Sequence, residues 1–276
     1  MSDSFFFLRG WDTDLAHESQ GGFSNSRYGA PAPFLSQDCC EYETSAQKHA
    51  HWMYFAEPHR PKKEFDMKLY DFELAPNPRR VRMFLAEKGV TIPTVQVNTR
   101  QREQFAPEFA KINPYCVVPV LELDDGTCIG ESVAICRYIE VLHPEPPLMG
   151  RDAKEQAIVE MWDRRAELEG ISAAGEIVRN AAPMFEDRGI AGVAGGFPQI
   201  PALVERGKRR MARFFEFWDR QLADNAFIAG PNFSIADITS FIAIEFVKRA
   251  EITIPEKCRH VARWHEAVAQ RPSAKA

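Results

Sequence analysis

The residues best placed to do chemistry fall within one stretch, Asn113 to Ser132. Pro119 interrupts a run, Val117-Val118-Pro119-Val120-Leu121-Glu122-Leu123, that otherwise reads as a strand. Proline donates no ladder hydrogen bond, so it belongs at a strand's first residue, an edge or a bulge. It also raises the chance of a cis peptide. Asp125-Gly126 then supplies a tight hairpin turn, since that pair accepts positive φ. A second short strand follows, and after it Gly130-Glu131-Ser132 opens a helical run. A proline-entered strand, a hairpin and a helix start bearing a carboxylate and a hydroxyl together make a small-ligand site.

The elements that position these residues begin at Met67. Lys68-Leu69-Tyr70-Asp71-Phe72 alternates and predicts a short strand. In the next segment Asn77 reads as an N-cap and Pro78 as the first helical residue, with Val81, Phe84 and Leu85 on an apolar face and Gly89 as the stop. Thr94 to Asn98 is a second strand, and residues 101–112 form a short helix with Phe105, Phe109 and Ile112 at helical spacing. The helix after the hairpin runs from about Ser132 to Leu142. The order is βαβαββα, with a parallel first pair and an antiparallel last pair. Residues 143–151 are a Pro-rich linker, and the domain boundary is placed there. From Asp152 the chain reads as helix only, with Ile158, Met161, Trp162 and Arg165 on one face. Met211, Phe214, Phe215, Trp218 and Leu222 form a core stripe, and Ser234 and Asp237 a capping box. Residues 152–276 are therefore an all-α helical-bundle domain.

Composition narrows the function classes. The chain has 276 residues and a net charge of −5, without a basic stripe, which argues against nucleic acid and anionic membrane as partners. No apolar run reaches the ~20 residues that span a bilayer. Phe5-Phe6-Phe7-Leu8 is too short for a secretory core, so the expected compartment is reducing and cytoplasmic. The six cysteines show no metal spacing, and Cys39-Cys40 reads as incidental. Residues 1–66 differ from the rest. They hold 6 Lys/Arg against 10 Asp/Glu, carry His49 and His51 without convergent ligands, and show no sustained period. Either Met67 is the natural start, or 1–66 is a mobile extension. No metal and no resident cofactor are expected.

Four stretches in order, LYDFELAPNPRRVRMFLAEKG, INPYCVVPVLELDDG, ESVAICRYIE and FIAGPNFSIADI, resemble the cytosolic glutathione transferase family, over residues 67–274. The resemblance implies an α/β thioredoxin-like domain with a cis Pro119 before strand 3, followed by the all-α domain. It implies that glutathione is the co-substrate and that the chain is a homodimer. It also implies that Val118 pairs with the cysteinyl backbone of glutathione beside Pro119, and that Glu131 and Ser132 hold its γ-glutamyl end. The reaction implied is attack of the glutathione thiolate on a small electrophilic or apolar second substrate. The thiolate would be stabilised at the N-terminus of the first helix.

The chain departs from serine-type members at one position. The family's serine falls at Ala75, which cannot donate, and no cysteine replaces it. Asn77 is the nearest donor, with the N-cap as its competing role. Tyr70 is a second donor, read otherwise as a core strand residue. Cys116 reads as a filler beside the ligand strand, and Asp237 as a cap rather than an acid. Arg79, Arg80 and Arg82 either steer the anionic tripeptide or form a solvated face. Trp162, Arg165, Glu169, Met184 and Phe185 are the candidates for the second-substrate pocket. The alternatives to a transferase are a glutathione-dependent isomerase or reductase, and a binding or interaction module that has lost thiol activation.

Overall fold

The computed structural model of the chain describes residues 67–276. The expectations for 1–66, including Cys39-Cys40, His49 and His51, lie outside the described residues.

Alternation in the first segment gives β1, Lys68–Asp71, which buries Leu69 and Asp71. Pro76 stands at the first position of α1, Pro76–Lys88, where an N–H has no partner to lose. Gly89 closes α1 in the left-handed conformation, φ 63°, as its position predicts. The crossover through α1 makes β2, Thr94–Gln96, parallel to β1. The helix expected over 101–112 is split. A single 3-10 turn spans Glu103–Phe105, and α2 spans Pro107–Ile112, because Pro107 can only start a helix. Strands β3, Val120–Glu122, and β4, Cys128–Ile129, complete a sheet of order β2-β1-β3-β4. β3 is antiparallel to both its neighbours. The turn between β3 and β4 is centred on Asp124-Asp125. Gly126, at φ 83°, donates its N–H to the carbonyl of Leu123 at 2.9 Å. The expected Asp-Gly turn is thus present, with Gly126 as its left-handed closing residue. Helix α3, Ser132–Leu142, has the expected bounds.

The second half is all helix, as expected. Helices α4, Ala153–Arg165, and α5, Ser172–Ala181, are joined without a break by a π turn, Ala166–Ile171. Asp152 caps α4 by accepting from the N–H groups of Lys154 and Glu155 at 2.9 Å. Helices α6, Pro201–Ala223, α7, Ile235–Val247, and α8, Arg259–Ala269, complete the bundle. The stripe Met211, Phe214, Phe215, Trp218 and Leu222 is buried, and Ser234 with Asp237 forms the capping box at α7.

One core runs through both halves, from Leu69 and Phe84 to Trp218 and Trp264. α1 packs on α3 on one side and on α7 on the other. The 143–151 segment takes part in this core. Leu148 and Met149 are buried, and the Leu148 carbonyl accepts from Ile235 N–H at 2.9 Å. The face expected on α4 is rotated: Val159, Trp162 and Asp163 are buried, whereas Met161 is 40% exposed.

Candidate functional site

A cavity of about 630 Å³ lies between the two halves. On the sheet side it is bordered by the start of α1, from Phe72 to Pro78, and by Cys116, Val117 and Val118. On the helical side it is bordered by α5 and by the segment after it, through Val193.

The start of α1 departs from its sequence reading. Ala75, not Asn77, is the N-cap; its backbone is extended, and no side chain caps the helix. Pro76, Asn77 and Pro78 are therefore the first three helical residues. Two of the three lack an N–H, so Asn77 supplies the only free backbone donor among them. The Asn77 amide also has no hydrogen-bond partner among the described residues and lines the cavity. The cap role that competed for Asn77 is thereby removed.

Asn113 shapes the strand entry. Its Nδ2 donates to the Val117 carbonyl at 2.8 Å, and its Oδ1 accepts from Tyr115 N–H at 3.1 Å. This pinned loop delivers Val118 to the cavity wall, and the Val118-Pro119 peptide is cis. Neither backbone polar group of Val118 is engaged by another described residue. Beyond the hairpin, Glu131 precedes α3 with φ 63° and ψ 118°. That conformation costs a non-glycine residue about 1–3 kcal/mol and is characteristic of ligand sites. The Ser132 side chain is buried, and neither it nor the Glu131 carboxylate holds a hydrogen bond to a described residue. Val118 lines the cavity; Pro119, Glu131 and Ser132 lie outside its lining.

Other candidates are placed elsewhere. The Tyr70 hydroxyl donates to Glu122 Oε2 at 2.6 Å, and its ring packs edge-on to Phe109. That hydrogen bond to a carboxylate, with burial and the Glu122 charge, pushes Tyr70 up to about 12, so it is a strand residue and not a thiol activator. Arg79, Arg80 and Arg82 form neither a steering patch nor a solvated face. Arg80 is fully buried and donates to Glu167 Oε1 at 2.8 Å. Arg82 donates to Asp71 Oδ1 at 2.6 Å, and Arg79 to the Ala274 carbonyl at 2.8 Å. Cys116 lines the cavity, its thiol 3.7 Å from the Pro114 carbonyl and without a base beside it. Burial pushes the Cys136 thiol up, away from reactivity.

Of the second-substrate candidates, Met184 and Phe185 line the cavity, and Trp162, Arg165 and Glu169 do not. Trp162 packs edge-on to Trp218 with ring centroids 5.7 Å apart, and Arg165 stacks over its ring. A π turn, Ala166–Ile171, follows α4, and from its end onward Ile171, Gly175, Val178 and Arg179 line the cavity instead. Sequence reasoning also missed Gln104, which lines the cavity while 94% buried by area, with Oε1 lacking any described partner. A glutamine in the middle of a single 3-10 turn carries no pattern that would single it out.

A mixed four-stranded sheet, a proline-entered strand beside a helix N-terminus and a helical half closing the other wall define a thioredoxin-like domain followed by a helical one. The comparisons agree with this class. The model of the glutathione S-transferase N-terminal domain matches residues 75–142, and that of the C-terminal domain matches 182–272. Glutathione S-transferase 2 of Saccharomyces cerevisiae is 33% identical over 216 residues, covering 76% of this chain and 88% of that protein. The crystal structure of Gtt2 from the same organism superposes with a TM-score of 0.69 at 33% identity, over 75% of this chain and 98% of that one. A glutathione S-transferase domain-containing protein from Marinobacter aquaeolei VT8 gives 0.70 at 36% identity, over the same 75% and 98%. This chain belongs to the glutathione S-transferase family.

Proposed function

We propose that the protein is a glutathione transferase whose thiolate is activated at the start of α1 without the family serine. Glutathione lies across the backbone of Val118, with its γ-glutamyl ammonium at Glu131 and the adjacent carboxylate at Ser132 and the start of α3. Its thiol sits between Ala75 and Asn77. The backbone N–H and amide of Asn77 stabilise the anion, and the thiol proton leaves to solvent. The sulfur then forms a bond to an electrophilic carbon in the cavity, and the leaving group departs with its electron pair. Residues 67–142 hold glutathione, and 152–276 supply the wall for the second substrate. No cofactor or metal enters the step.

The observation that supports this reading is that Asn77, whose donors are unengaged, and Val118, whose backbone is unengaged, line one cavity, with the strained Glu131-Ser132 helix start just beyond the hairpin that follows Val118. Among the described residues no helix is long and apolar enough to cross a membrane. A cytoplasmic, detoxifying role fits the family. A homodimer accounts for Val141, Met161 and Leu168, which are 76%, 40% and 47% exposed on and beside the adjacent helices α3 and α4. Equilibrium sedimentation tests the dimer.

The decisive experiment is calorimetric binding of glutathione with a pH titration of the bound thiol's absorbance. Binding with a thiol pKa well below that of free glutathione supports the transferase. Binding without that drop turns the reading to a carrier, and absence of binding removes it.

A further inference from the structure

The cavity wall carries four guanidinium groups, Arg100, Arg179, Arg188 and Arg249, and no carboxylate. None of the four forms an ion pair among the described residues, although the chain as a whole is acidic. Three acids of the neighbouring segments have other partners. Glu176 is paired with Arg206 and Arg210, Glu245 with His265 and Lys248, and Asp187 accepts from Gly196 N–H. The four fall into two pairs. Arg100 lies close enough to lower Arg249, and Arg188 to lower Arg179, in each case after burial as the larger cause. Arg179 is brought down to about 10 and stays cationic at neutral pH.

Glutathione brings carboxylates of its own, and one of them can neutralise the Arg100–Arg249 pair. The second pair is on the helical wall, within the apolar part of the cavity. Arg179 is held in place by the carbonyls of Arg188 and Ile190 at 2.7 and 2.6 Å and stacks over Phe185 at 4.5 Å. Arg188 uses Nη2 on the Met184 carbonyl and keeps its remaining donors. Two half-buried cations on an apolar wall without a protein counter-ion favour an anion on the ligand.

Resting on the transferase reading above, we propose that the second substrate is an apolar electrophile bearing a carboxylate, which Arg188 binds in the field of Arg179, while Phe185, Met184 and Val178 hold its body.

The test uses the full chain and two glutathione conjugates, S-(4-carboxybenzyl)glutathione and its methyl ester, each measured by calorimetry. Both bring glutathione to its own site, so their difference reports the second-substrate wall alone. The carboxylate conjugate is expected to bind about 10-fold more tightly, as one charge-assisted contact would give. Arg188→Gln should bring the ratio close to one. Raising the salt concentration should shrink it in the unsubstituted protein, which decides the matter even if the variant does not fold. Equal affinities, or a ratio indifferent to both Arg188→Gln and salt, overturn the inference while the transferase reading stands. Failure of both conjugates and of glutathione to bind overturns both.

Discussion

Gly192 stands so close to Tyr115 that a Cβ built on it would lie 2.3 Å from the Tyr115 carbonyl oxygen and 3.1 Å from Val117 Cγ1. Its φ of 75° adds to the constraint. The segment after α5 is thus seated directly on the loop that delivers Val118, and the Arg102 guanidinium donates to the Ala194 carbonyl at 2.5 Å beside it. Gly192→Ala should unseat this wall. The expected result is about a 10-fold loss in kcat/KM for the second substrate, of the size a small displacement of a positioning element can bring. Glutathione affinity, measured by calorimetry, should change far less.

Asn77→Ala removes the one side-chain donor among the first three residues of a helix already lacking two N–H groups. Turnover should fall by about 10-fold or more, within the range expected for loss of one donor to a developing anion. The bound thiol's pKa should rise with little change in glutathione affinity. An unchanged rate would take Asn77 out of the mechanism.

Ser132→Ala tests the other end of glutathione. A hydroxyl bonded to a carboxylate contributes about 1.5–3 kcal/mol, so binding should weaken by about 10-fold or more. The loss should appear in the glutathione Kd, and the pKa of the bound thiol should stay low.

Asp237 holds the helical half together. Oδ1 accepts from Trp264 Nε1 and from Ile228 N–H, both at 2.9 Å, and Oδ2 accepts from Ser234 N–H and Oγ at 3.0 Å. Every donor is buried, so Asp237→Ala leaves several of them unsatisfied. The expected loss is about 3 kcal/mol or more in urea unfolding, with the active fraction retaining normal KM for glutathione.

Glu245 sets an acid limit. Its hydrogen bond to His265, helped by Lys248 against the cost of burial, holds its carboxyl down to about 2. A folded-state value below the ordinary carboxylate range contributes stability that is complete above that range and is lost as pH falls toward 2. Glu245→Gln should flatten the fall in stability between about pH 4.5 and 2, read by denaturant midpoints across that window.

Much of the fold was legible because its signals are local. Gly89 after an apolar face, Pro119 at a strand entry, Gly126 in a turn and Ser234 with Asp237 each act within a few residues, and each takes the role its chemistry demands. The backbone of the proposed glutathione stretch was legible for the same reason, since the Val118-Pro119 strand entry and the Glu131-Ser132 helix start are each set by neighbouring residues. Local rules misled at Asn77, where two prolines compete to start the helix and Pro76 takes the first position.

What only the tertiary structure decided is the far wall of the cavity and the state of the charges. Along one long helix carrying a π turn, Trp162 and Arg165 lie off the cavity and Arg179 lies on it. No period in the sequence announces that turn, whose Gly170 packs so closely that a Cβ would meet Ala243 at 2.9 Å. Arg80 and Arg188 look alike as residues on charged stretches. Three-dimensional packing buries the first against Glu167 and leaves the second beside an apolar cavity without a counter-ion, because charge pairing depends on distances between segments that the sequence keeps far apart.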